Sequence, residues 1–273
     1  MAAEAIKKRW QRIREWAFYK LVTPVRALFE AYMARRNLVV IYCVMGNGIG
    51  DALAISTILK ALHERTGVKG IVFSMYPELF LHNPMVIKNL GYRTMASWRR
   101  SLFKSFLRAM RGAAVLCIGG EVWSVGSSPL DTRDLRKQRG TDWIWLEKLL
   151  PDVDTGLDFL KATPAIFFSE AEVNGFKLKF ADLPRDYGVL KSTVGVNRTN
   201  AAELKNWKLE GFARVVREFP QISWLQVGDF GEPVVPGSIN LLGMTTLREL
   251  LWILSQAKIL LSVEGFLTHA SAA

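Results

Sequence analysis

Residues 38–51 constrain the fold more than any other stretch. Leu38–Met45 is an unbroken run of β-branched, aliphatic and aromatic residues, and it passes straight into Gly46-Asn47-Gly48-Ile49-Gly50-Asp51. The run suits a strand buried on both faces, and the glycines are turn chemistry. From Asp51 to Arg65, Leu53, Ile55, Ile58, Leu59 and Leu62 fall at helical spacing, with Gly67 just past the end. A strand, a glycine turn and a helix open a βαβ unit.

The alternation continues along the chain. Gly70–Met75 and Ala113–Ile118 read as strands around a basic amphipathic helix at Trp98–Arg111. Ser124–Gly140 reads as a long loop, Trp143–Leu150 as a short helix and Ala165–Phe168 as a strand. Ala181–Gly188, with its proline and aspartates, is the linker candidate. A second cycle then places strands at Ser192–Asn197, Ile222–Val227, Ser238–Leu241 and Ile259–Val263, with helices at Trp207–Phe219 and Thr245–Ala257. Strands alternating with helices imply parallel sheets and an α/β fold of two domains. The last residues, His269-Ala270-Ser271-Ala272-Ala273, fall where a helix has only begun. The reading therefore expects a second domain that is incomplete at its C-terminus.

Composition narrows the class. Apolar residues make up 50% and charged residues 22%, which excludes a disordered or fibrous chain. Two cysteines, Cys43 and Cys117, both in strand-like runs, make no disulfide framework; with three histidines they leave no zinc spacing. No run of ~18 clean apolar residues suits a transmembrane helix. The net charge of +11 is uneven: residues 1–36 hold nine basic side chains (Lys7, Lys8, Arg9, Arg12, Arg14, Lys20, Arg26, Arg35, Arg36) and three acidic ones (Glu4, Glu15, Glu30). In the same segment Ile6, Trp10, Ile13, Ala17, Leu21, Val25, Leu28 and Tyr32 make one helical stripe, interrupted near Thr23 by Pro24. Such a helix either packs on its own domain or docks on an anionic membrane surface, and the sequence leaves both open.

Several residues have site chemistry. Gly46–Asp51 lets backbone N–H groups approach an anion at a helix start. It lacks both the G-x-G-x-x-G spacing with its distant acid and the Gly-Lys-Ser/Thr of a Walker loop. Asp51 is then either a helix cap or a base facing a cleft. Lys205-Asn206-Trp207 puts a lysine at a helix entrance, where it is either a phosphate ligand or a solvated surface charge. Leu242–Leu247 and Glu264–His269 each follow a strand and enter a helix. All lie at the carboxyl edges of parallel strands, where open α/β folds bind ligands. Asp152-Val153-Asp154 has the spacing of a metal-binding D-x-D but follows Pro151, and reads as turn chemistry.

These residues in this order resemble glycosyltransferase family 9, the lipopolysaccharide heptosyltransferase family. The resemblance rests on Gly50-Asp51, on Lys205-Asn206-Trp207, on Leu241–Leu250 (LLGMTTLREL) and on Glu264–Ala273 (EGFLTHASAA). Glu264, Gly265 and Phe266 depart from the family's Asp, Ser/Thr and Gly. The resemblance implies an α/β protein with two Rossmann-like domains of GT-B type, the second incomplete, behind the N-terminal basic amphipathic helix. The expected divisions are 1–36 for the extension, 37–185 for the acceptor domain and 186–273 for the nucleotide-sugar domain. It implies an inverting, metal-independent enzyme that transfers a heptose-like sugar from a nucleotide-diphosphate donor to a glycolipid or oligosaccharide acceptor. The donor would be a substrate, with no cofactor and no nucleic-acid partner, on the cytoplasmic side and peripheral on the inner membrane face. Asp51 becomes the catalytic base. Asn200, Lys205, Met244, Glu264, Gly265, Thr268 and His269 become donor-binding residues, and Gly48, Gly50, Gly120 and Glu121 the acceptor-side loops. A non-catalytic nucleotide-sugar-binding relative and a dinucleotide-dependent oxidoreductase are the alternatives.

Overall fold

The computed structural model describes residues 25, 27–43, 48–91, 95, 99, 115–118, 163–194 and 207–273. The predicted helix Trp98–Arg111 except Arg99, the loop Ser124–Gly140, the short helix Trp143–Leu150, the Asp152–Asp154 turn and the extension through Pro24 lie outside them.

Contacts divide the chain into two compact units. The first holds Met1–Asn47, Ile58–Pro77 and Pro84–Ala162; the second holds Gly48–Thr57, Glu78–Asn83 and Thr163–Ala273. Residues 163–185 fall in the second of these units.

In the first unit β1 (Leu38–Cys43) pairs in parallel with β2 (Lys69–Ser74) and with β4 (Val115–Ile118). β2 in turn pairs with β3 (Val86–Gly91), giving the order β3-β2-β1-β4. Val39, Val40 and Ile41 are buried, as a strand covered on both faces requires. Helix α1 (residues 27–35) precedes β1, and helix α2 (Ile49–Thr66) follows it. Ser56, Thr57 and Thr66 return their hydroxyls to carbonyls three or four residues back (Leu53, Leu53 and Leu62), so polar side chains cost little on a buried helix. Gly67 ends α2 with φ 67°, the left-handed stop that the sequence predicts. β3 escapes the periodicity argument because Lys88 and Asn89 interrupt it; it is a half-buried edge strand.

The second sheet repeats the pattern. β5 (Tyr187–Lys191), β6 (Ser223–Gln226), β7 (Ile239–Asn240) and β8 (Ile259–Ser262) run parallel in the order β7-β6-β5-β8. Helices α3 (Glu170–Lys179), α4 (Leu209–Glu218), α5 (Leu247–Gln256) and α6 (Phe266–Ala270) complete it. Leu190, Phe212, Val216, Trp224, Val235 and Val263 form one buried cluster.

Two sequence expectations are corrected here. The strand expected at Ser192–Asn197 lies instead at Tyr187–Lys191, inside the proposed linker. Gly188 reads as linker chemistry but is packing: a Cβ there would come within 2.8 Å of the Trp224 ring and 2.9 Å of Ile259. Ala165–Phe168 has no regular secondary structure and joins no sheet. Side chains take its backbone groups: Ala165 N–H donates to Ser56 Oγ (3.2 Å), and Phe167 C=O accepts from Arg248 (2.7 Å).

Candidate functional site

The strand order fixes where a ligand can sit. In both sheets the middle pair follows opposite directions of chain progression. These switch points, at the carboxyl ends of β1 and β4 in one sheet and of β5 and β8 in the other, are where open α/β folds bind ligands. The glycine loop follows β1, and Glu264-Gly265-Phe266 follows β8.

Helix α2 begins at Ile49, two residues before Asp51, so Asp51 stands inside the first turn rather than ahead of the helix. Ala52 N–H closes that turn on Gly48 C=O at 3.4 Å. Gly50 is contacted from within the second unit: a Cβ on it would lie 3.1 Å from Cδ2 of His269 and 3.9 Å from the Phe266 Cα. The absence of a side chain at position 50 is what admits the imidazole, so two segments far apart in sequence meet one residue from Asp51.

Among the other expected donor residues, Glu264, Gly265, Thr268 and His269 are exposed. Gly265 has φ 178°, ordinary extended backbone. Thr268 donates its hydroxyl to Gly265 C=O at 2.6 Å, which ties the turn to the start of α6. Met244 is 59% exposed, and the Thr246 behind it caps α5 in a reciprocal box with Glu249. Asn200, Lys205, Gly120 and Glu121 lie outside the described residues. Trp207, two residues after Lys205, sits edge-on to Phe212 with centroids 5.0 Å apart.

The structure adds residues that the sequence reading missed. Lys191, the last residue of β5, forms an ion pair with Glu232, which follows β6; their side chains are 12% and 1% exposed. Glu232 Oε1 also accepts from Asp229 N–H at 2.9 Å, while Oε2 has no hydrogen-bond partner. Burying a carboxylate with one oxygen unused is costly unless something else completes it. Gln226 fixes this loop through four bonds: it donates to Ser192 Oγ and Pro233 C=O, and accepts from Val235 N–H and Ser238 Oγ. Phe230, on the same turn, is 89% exposed and lies against Gly243, where a Cβ would come 2.8 Å from its Cβ. Gly243 N–H donates to Gly228 C=O at 2.8 Å, so Phe230, Met244 and the Lys191–Glu232 pair belong to one neighbourhood. The only sequence signal for it was the glycine-rich turn Gly228-Asp229-Phe230-Gly231-Glu232 after a strand.

Arg248 is a second missed residue. It is 8% exposed and donates to Glu172 Oε1 (2.6 Å) and Oε2 (2.9 Å) and to the carbonyls of Glu78 (2.8 Å) and Phe167. It also stacks on Phe168 at 4.8 Å. One guanidinium thus joins α5, α3, the turn Pro77–Phe80 and the segment 163–168. Glu172 is held at about 2, chiefly by the Arg248 hydrogen bond working against burial, with help from Ser169. Among the described residues no group of three or more His, Cys, Asp or Glu could hold a metal ion.

No protein-family model matches the chain, and no curated protein matches it in sequence. Solved structures do match. A glycosyl transferase family 9 protein from Veillonella parvula gives a TM-score of 0.55 at 16% identity, over 85% of this chain and 76% of that one. The E. coli ADP-heptose lps heptosyltransferase II gives 0.53 at 13% identity, over 85% and 81%. TibC, an iron-containing dodecameric glycosyltransferase of enterotoxigenic E. coli, gives 0.52 at 14% identity, over 85% and 55%. What is shared at such identities is the fold: this chain has the two-sheet α/β architecture of GT-B glycosyltransferases.

Proposed function

We propose that the protein is a glycosyltransferase that moves a sugar from a nucleotide-diphosphate donor to a hydroxyl of a glycolipid or oligosaccharide. The observation that carries this reading is the buried Lys191–Glu232 pair. It sits at the carboxyl edge of a parallel sheet, in a fold whose solved neighbours are glycosyltransferases, and it leaves one carboxylate oxygen without a partner. With Oε1 shared by Lys191 and Asp229 N–H, Oε2 is the oxygen left to accept from a donor hydroxyl, and because it is buried the turn 228–232 has to yield for that hydroxyl to reach it. Phe230 and Met244 beside it offer exposed apolar faces to a nucleobase.

In the reaction we propose, the acceptor oxygen attacks the anomeric carbon with inversion. The acceptor proton passes to the Asp51 carboxylate, and the bond to the diphosphate breaks with its electron pair leaving on phosphate. Lys205 meets the charge that develops on the leaving group, and Glu264 orients donor hydroxyls. His269 rests against Gly50 and fixes the turn that carries Asp51. The step as written needs no metal.

Asp51→Asn tests the chemistry. It should lower transfer by about 10²–10⁴-fold while leaving donor affinity within error, the signature of a lost general base. Turnover at the wild-type rate would make Asp51 a helix residue only. Lys205→Ala should weaken donor binding by roughly tenfold or more, the worth of a charge-assisted hydrogen bond; unchanged nucleotide affinity by calorimetry would count against it. The second reading, a non-catalytic nucleotide-sugar binder, is favoured by Glu264 and Phe266, where the resembled family has Asp and Gly. Donor binding without transfer or donor hydrolysis would select it.

A further inference from the structure

The apolar stripe that ends at Tyr32 is not the face by which α1 packs. Met33 is 1% exposed and Phe29 and Glu30 are half-buried, so these residues hold the helix to its unit. Val25, Leu28 and Tyr32, three and four apart, are 51%, 74% and 53% exposed. At 100° per residue they fall on one side of the helix, and Arg35 and Arg36 continue that side. Both arginines are exposed, and the Arg36 guanidinium lies over the Tyr32 ring at 5.0 Å.

We infer that this face, Val25–Leu28–Tyr32 with Arg35 and Arg36, docks on an anionic lipid surface. Three observations select that occupant. The periodic stripe was open to two uses, and its described part is turned to solvent, not used to pack the helix. The segment through residue 36 carries nine basic against three acidic side chains, which matches an anionic layer. A second copy is disfavoured because a two-fold contact through this face would set two segments of nine basic and three acidic side chains against each other. Aliphatic side chains flanked by a tyrosine and arginines have the layering of an interface: apolar groups inward, the ring and guanidinium groups at headgroup level. The inference does not depend on the glycosyl-transfer reading, because its readout is lipid binding alone.

The experiment uses the full chain and sedimentation with vesicles. One set is phosphatidylglycerol with phosphatidylethanolamine, and the other is phosphatidylcholine alone. Wild type should sediment with the anionic vesicles, less so as salt rises, since screening sets in beyond about 8 Å at physiological ionic strength. Leu28→Ser with Tyr32→Ser should reduce that binding by about tenfold, and Arg35→Ser with Arg36→Ser by a similar factor. Leu178→Ser, at an 80% exposed apolar residue of α3, should change nothing. All these positions are exposed, so melting temperatures should match wild type. Three results would each overturn the inference: no sedimentation of wild type, equal sedimentation of the Leu28/Tyr32 variant, or a wild-type dimer that this variant dissociates.

Discussion

Arg248 and Glu172 show how much one residue pair decides. The guanidinium sits among acceptors from three segments, and removing its carboxylate leaves a buried cation with carbonyls alone. Glu172→Gln should therefore cost roughly 3 kcal/mol at neutral pH. The pH dependence has a definite sign. Glu172 titrates at about 2 in the folded chain and near 4.5 when released, so the pair stabilises fully above pH 4.5. That contribution disappears as pH falls from there toward about 2. Wild type should lose melting temperature across this window more steeply than Glu172→Gln, and parallel curves would count against the assignment. Glu232 makes the complementary case, because its second oxygen is unsatisfied. Under the proposed function, Glu232→Gln should lower nucleotide-sugar affinity by about tenfold, since a charged acceptor contributes about 1.5–3 kcal/mol. Equal affinity by calorimetry would remove Glu232 from the site. Neither pair was legible in the sequence. Arg248 and Glu172 are 76 positions apart and Lys191 and Glu232 are 41 apart, and no local rule joins them.

At the scale of elements, local rules worked where the signal was local. Thr246 and Glu249 stand at the spacing of a capping box, and both halves of the box form. Thr246→Ala should cost about 1 kcal/mol, read as a lower denaturation midpoint with an unchanged slope. The same rule, applied to Ser169 and Glu172, could have found α3, which was missed because it buries no residue and has no apolar stripe. β5 was displaced for the opposite reason. Gly188 and its polar neighbours look like a linker, yet the glycine is there to admit Trp224 and Ile259. Residues 165–168 have strand composition, but Ser56 and Arg248 claim their hydrogen-bonding groups before any strand can.

At the scale of the molecule, two sheets of the same order give two switch points, and the proposal assigns the donor to the second. Hydrogen exchange makes that assignment measurable. A bound nucleoside diphosphate should slow amides at 189–192, 228–232 and 264–268, and leave those of β1 at 38–43 unchanged. Protection confined to β1 would transfer the nucleotide to the first sheet and contradict the roles given to Lys191 and Glu232.

The sequence by itself determined the α/β class, the strand–glycine–helix opening, the parallel strands near 38, 70, 115, 223 and 259, and the helices Ile49–Thr66, Leu209–Glu218 and Leu247–Gln256. Each rests on period, a cap or a glycine stop within one short segment. Only the tertiary structure decided which side of α1 meets its unit and which stays bare. It alone brought His269 onto Gly50, paired Lys191 with Glu232 and gathered four segments on Arg248. These are contacts between residues tens to hundreds of positions apart. Their partners are chosen by strand order and by the electrostatic cost of burying a charge alone, and neither is written in any window of sequence.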